Sequence, residues 1–170
     1  MYSYKRVSIC AILTIALASA ATVGAADHAF EGKWVLDNHA SNTGSVPPPQ
    51  DLRQTIKNKG GNLVIESVFK EPANAVAPLL YLGIMTTSLQ LSTDGSENVN
   101  QVGPFMQTCK TTIDGNKMTT QWVAKHTSGE VVNGQWVRTL ADDGKHMTLD
   151  IQENSSQGQG GTASLHFVKK

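Results

Sequence analysis

The chain has 170 residues, 39% hydrophobic and 16% charged, and its 14 basic side chains balance its 14 acidic ones. A neutral chain without clustered basic residues lacks the stripe that neutralises phosphates, so no nucleic-acid partner is expected. The length suits one hydrophobic core and a single domain.

The N-terminus has the three-part layout of a secretory signal. Lys5 and Arg6 give a positive start, residues 7–21 form an uncharged apolar stretch, and Val23, Gly24 and Ala25 end it with small side chains. Residues 1–25 are therefore expected to be a signal peptide, with a mature domain at 26–170, exported to the periplasm or secreted. An uncleaved anchor is the alternative, but the stretch is barely long enough to span a bilayer, and no stable membrane insertion is expected after cleavage. Cys10 lies near the start of the apolar stretch rather than at its end, and it follows Ile9 rather than a small residue, which excludes a lipid-modified cysteine. Cleavage removes two bases and no acid, leaving a small acidic excess, and it leaves Cys109 as a lone thiol without an intrachain partner.

Beyond the signal, turn dipeptides divide the chain. They are Gly60-Gly61, Asp94-Gly95, Asp114-Gly115, Ser128-Gly129, Asp143-Gly144 and the glycines of 158–161. Asp-Gly and Gly-Gly between alternating segments mark hairpins. Residues 38–50, with Gly44 and Pro47-Pro48-Pro49, are expected as an extended surface loop. Residues 77–85 form an uncharged run with no clean period. It fits a core strand, a short helix after Pro78, or an apolar flap at a barrel mouth.

Period two is plain in the second half. Met118, Thr120, Trp122, Ala124 and His126 share one face of their segment. Val132, Gly134, Trp136, Arg138 and Leu140 share a face of the next. Met147, Leu149 and Ile151 alternate with polar neighbours, as do Ala163, Leu165 and Phe167. Helical spacing would instead set Leu149 beside Gln152 and Glu153 and bury polar residues. Many short strands joined by tight turns predict an all-β antiparallel up-and-down barrel, because curling and closing removes exposed edges. A two-sheet β-sandwich is the alternative.

The segment Gly32-Lys33-Trp34 on the first strand, and Asp143-Gly144-Lys145-His146-Met147-Thr148 late in the chain, resemble lipocalins and fatty-acid-binding proteins. The order of elements resembles small secreted bacterial lipocalin-like proteins across most of residues 26–170. The resemblance implies a lipocalin-like barrel whose Trp34 plugs one end under a late basic residue, for which Arg138 is the candidate. It also implies an internal ligand site. One departure stands out: the last strand offers Leu165-His166-Phe167 where fatty-acid-binding proteins carry an Arg-x-Tyr pair for the ligand carboxylate. That carboxylate site is not carried over.

The expected function is extracytoplasmic binding of a small apolar molecule, in or at the mouth of the barrel. The candidate ligand-binding residues are Phe69, Phe105, Met118, Trp122, His126, Trp136 and Arg138, with Leu63, Ile65, Leu89 and Leu149 completing the lining. The alternative is that these side chains fill the interior. An inward arginine needs an acid, an aromatic face or an anionic ligand, since an unpaired buried charge is costly. Cys109 reads as a small apolar core side chain. No catalytic motif, cofactor or metal is expected: the histidines lack ligand spacing, and His146 and Asp150 lie about 13 Å apart on one strand. An enzyme using His126 or Arg138, and an interaction module using the run 77–85, remain alternatives.

Overall fold

The computed structural model describes residues 28–44, 46–70, 81–158 and 160–170. The expected signal, 1–25, and residues 77–80 of the apolar run lie outside them. Ten strands follow in order: β1 (Gly32–Asn42), β2 (Asp51–Lys59), β3 (Asn62–Lys70), β4 (Ser88–Ser92), β5 (Glu97–Val102), β6 (Phe105–Asp114), β7 (Lys117–His126), β8 (Val131–Leu140), β9 (His146–Ser155) and β10 (Gly160–Lys169). All neighbours are antiparallel, in the order β4-β3-β2-β1-β10-β9-β8-β7-β6-β5. The first strand pairs with the last, and the sheet curls until its two edges, β4 and β5, meet. This is the predicted up-and-down barrel, nearly closed, rather than a sandwich.

Side chains close the seam where backbone pairing stops. The Asn100 side chain accepts from Gln90 N at 2.8 Å and donates to Gln90 O at 2.9 Å, and Asn98 Oδ1 accepts from Ser92 N. Two amides on β5 thus stand in for a missing ladder and satisfy edge groups that would otherwise invite another strand.

The alternation read from sequence places the core. Met118, Trp122 and Ala124, then Val132, Trp136 and Leu140, then Met147, Leu149 and Ile151, then Leu165 and Phe167 are buried on the concave face. The floor gathers the turns after β2, β4, β6 and β8, tied by Thr93 N to Gly61 O, Leu140 N to Asn116 O and Lys169 N to Lys145 O. Trp34 is 0% exposed there, and its indole Nε1 donates to Phe30 O at 2.9 Å.

The cation over Trp34 is Lys169, whose Nζ lies 5.1 Å from the ring centroid, and not Arg138. Register decides this: Trp34 is opposite Lys169 on the neighbouring strand, whereas Arg138 is opposite Met118 and Leu149, farther around the wall. The same contact explains the glycine of Gly-x-Trp. Gly32 has φ +140°, and a Cβ there would collide with the Lys169 Cε that crosses toward the indole.

One further expectation changes, and one left open narrows. The predicted loop 38–50 begins later, because β1 continues through Asn42 with an irregularity against β10 between Asp37 and Asn42. Asp37 Oδ1 accepts from His39 N and Ala40 N, and Ser41 Oγ accepts from His166 N, so polar side chains carry the strand through residues that read as loop. The described part of the apolar run, 81–85, turns into the barrel, in keeping with the core reading. Tyr81 and Ile84 are buried, and Gly83 (φ +77°) lies so close that a Cβ would sit 2.6 Å from the Trp136 ring. Tyr81 Oη donates to Pro47 O at 3.2 Å, which ties this plug to the proline loop.

Candidate functional site

The ladder registers set the interior out in rows from mouth to floor. Nearest the mouth, Phe105 on β6 stands opposite His126 on β7, with ring centroids 4.9 Å apart. Phe69, at the mouth end of β3, is half-buried against the core. In the middle, Trp122 and Trp136 lie on adjacent strands with ring centroids 5.3 Å apart. Deeper still, Arg138 is flanked by Met118 on β7 and Leu149 on β9. Six of the seven predicted residues therefore line one strip of wall on β6, β7 and β8, and Phe69 stands apart on β3.

His126 sits at the rim. Its Nδ1 accepts from Ser128 N at 3.0 Å and lies 2.6 Å from Ser128 Oγ, so the β7–β8 turn occupies that ring nitrogen. Eight residues of β7 separate the His126 row from the Met118–Arg138 row, about 26 Å of strand. The two groups, each offered singly as a catalytic alternative, thus stand at different depths of the barrel.

Arg138 is the unusual member. It is 1% exposed, and its Nε, Nη1 and Nη2 have no hydrogen-bond partner among the described residues. Burial pushes its pKa down to about 10, which still leaves a cation at neutral pH. The titratable group near it is the Cys109 thiol, which burial pushes up to about 12, with the Asn100 hydrogen bond and Arg138 pulling the other way. A neutral thiol does not balance a guanidinium, so a buried cation faces an apolar wall with no counter-charge supplied by the described residues.

Glu153, which sequence reading did not single out, is the second such group. It is 1% exposed on β9, and neither carboxyl oxygen has a partner among the described residues. Burial alone pushes its pKa up to about 8, so most of it holds its proton at neutral pH. It stands opposite Gly134 on β8 and Gly161 on β10, four residues of strand from the Arg138 row, or about 13 Å. The two are too far apart to pair with each other. Gln107 and the indole nitrogens of Trp122 and Trp136 add further buried polar atoms with no partner among the described residues.

Native interiors satisfy nearly all buried polar groups. Here the exceptions concentrate on the inner face of β6–β9, with Gln54 Oε1 on β2 apart from them. At Leu165 and Phe167 the last strand turns buried apolar side chains inward, and its inward charge, Lys169, lies at the floor over Trp34. Among the described residues, no group of three or more His, Cys, Asp or Glu is placed to hold a metal.

No protein-family model matches the sequence, and the search of curated proteins found no match. Solved structures do match. The apo crystal structure of lipid binding protein 8 from Caenorhabditis elegans aligns with a TM-score of 0.54 at 12% identity, over 84% of this chain and 96% of that one. Secretory abundant heat soluble protein 4 from Ramazzottius varieornatus aligns with a TM-score of 0.49 at 12% identity, over 82% and 94%. The fold of this chain is thus an all-β, ten-stranded, nearly closed antiparallel barrel similar to that of a lipid-binding protein.

Proposed function

We propose that this protein is exported from its cell, as the small secreted lipocalin-like proteins of bacteria are, and there binds a small, largely apolar molecule inside its barrel. The head of that molecule carries an acid or another strong acceptor. The observation that carries the reading is Arg138: a fully buried guanidinium whose three nitrogens find no partner among the described residues. An unpaired buried charge costs several kcal/mol, and an anionic head group would offset that cost through charge-assisted hydrogen bonds. Met118, Leu149, Trp122 and Trp136 around it offer apolar and aromatic surface to the remainder of the ligand. The shared fold with a protein named for lipid binding supports the same ligand class, and the acid site lost from β10 is replaced by one on β8. Phe69, Phe105 and His126 stand where such a ligand enters.

Titration with dodecanoic acid, followed by tryptophan emission, tests the reading. Saturable one-site binding is expected, with a change in emission because Trp122 and Trp136 line the path. Arg138→Leu should weaken binding by about tenfold or more while leaving stability unchanged or higher. Substitution of the outward Gln121 should leave affinity as it was. Absence of saturable binding, or an Arg138→Leu protein that binds equally well, would sink the proposal. For the export clause, material recovered outside the cytoplasm should begin at Ala26 or Asp27, and an intact Met1 would overturn it.

A further inference from the structure

We infer that Glu153 is a second ligand anchor, and that the preferred guest carries a hydrogen-bond donor, a hydroxyl or an amine, on its tail as well as an acid at its head. This deepens the reading of Arg138 given above and rests on it for the head group alone.

Three observations carry the inference. Glu153 continues the buried row of Met147, Leu149 and Ile151, so its carboxyl faces the interior rather than solvent. Neither of its oxygens meets a protein donor among the described residues, although Trp122 Nε1 is also buried and unpartnered on the same wall. Finally, both of its cross-strand neighbours are glycines, Gly134 and Gly161, so neither places a side chain of its own against it. The Trp122 ring lies over Gly134, where a Cβ would come within 2.7 Å of Cζ2. A guest's polar group reaching this carboxyl would find it without a bond to the described protein, and the packed side chains there would have to shift to admit it.

Position fixes which end of the guest it meets. β8 runs from the turn at the mouth to the floor, with Gly134 near its start and Arg138 near its end. Glu153 therefore stands on the mouth side of Arg138, about 13 Å away along the strands. An extended chain of medium length with its acid on Arg138 places its far end beside Glu153. A plain alkyl end would bury that carboxyl against methylene groups and leave its hydrogen-bonding capacity unused. A hydroxyl or amine there would satisfy it, and a site built around such a bond discriminates against the analogue that lacks it.

The test compares dodecanoic acid, ω-hydroxydodecanoic acid and ω-aminododecanoic acid on the wild-type protein, Glu153→Gln, Glu153→Leu and Arg138→Leu. The wild type should bind one or both donor-bearing acids about tenfold more tightly than the plain acid, and the better of the two identifies the donor. Glu153→Leu should erase that preference and bind dodecanoic acid at least as well as the wild type. Glu153→Gln, which keeps the shape, should retain part of the preference for the hydroxyl and none for the amine. Arg138→Leu should weaken all three acids by a similar factor. Equal wild-type affinity for the three acids, or a preference that survives in Glu153→Leu, would overturn the second anchor while leaving Arg138 in place. If no acid binds the wild type, the head-group reading has failed instead. Dodecan-1-ol then isolates Glu153, and binding of the alcohol that is absent or identical in Glu153→Leu would overturn this inference too.

Discussion

Three tryptophans face the inside of this barrel, and they divide it into two regions built on different terms. At the floor, Trp34 has its indole nitrogen bonded to Phe30 O and a lysine over its ring. In the middle, Trp122 and Trp136 are just as buried but leave both indole nitrogens without a partner among the described residues, beside Arg138, Glu153 and Gln107 in the same condition. At the floor the chain bonds its own tryptophan, and one buried atom there, Gln54 Oε1 opposite Trp34, is without a partner among the described residues. The middle carries polar groups that the described chain does not satisfy, and such groups are stable at low cost only if something else answers them.

The contrast is sharpest where it can be broken. Trp34→Ala should be the most damaging single change, at about 3–5 kcal/mol, because it removes a large aromatic from a closed site. Lys169→Ala should cost less and be strongly non-additive with it, as expected of groups in contact. A double-mutant cycle by denaturant unfolding measures this, and additive effects would detach Lys169 from the floor.

The middle region should respond to pH where the floor does not. Glu153 titrates at about 8 when folded, against its ordinary 4.5, and burial is the cause. Between those values the unfolded chain releases the proton that the native state retains. Stability should therefore fall as pH rises from about 4.5 to about 8, by a few kcal/mol on the order of magnitude, and level off beyond. Unfolding curves across that range should show the slope in the wild type and lose this part of it in Glu153→Gln. An unchanged slope would mean that Glu153 does not hold a proton in the native state.

The smallest expected effect lies at the seam. Asn100→Ala removes two hydrogen bonds to β4, and with them about 1–2 kcal/mol. Hydrogen exchange should show it locally, as lost protection of the Gln90 amide against little change at β8 and β9. Uniform loss of protection would indicate that the seam holds the whole barrel rather than its own edge.

Much of the fold was legible because strand chemistry is local. Turn dipeptides and period two placed β6 to β10, and the alternation put Trp122, Trp136, Met118 and Arg138 on one face. The two residues that were missed lie one step beyond where that alternation looked finished. Met147, Leu149 and Ile151 lead to Glu153, and Ala163, Leu165 and Phe167 lead to Lys169. Both rows end in a charge, which reads as a return to solvent, yet both side chains stay on the inner face. Glu153 is fully buried and Lys169 lies across a tryptophan. The choice of Arg138 as the cation over Trp34 had the right face and the wrong neighbour.

By itself, then, the sequence determined the class of fold, the inward face of each clear strand and the aromatic wall of the interior. All of these follow from the geometry of a single strand, where side chains alternate whatever the rest of the chain does. Only the tertiary structure decided which strands meet. It set Lys169 rather than Arg138 against Trp34, turned residues 81–85 inward, and closed the β4–β5 seam with asparagine side chains. It also left Arg138 and Glu153 buried about 13 Å apart with no partner for either among the described residues. Those facts depend on register and on closure of the sheet, which join residues far apart in sequence and leave no local signal.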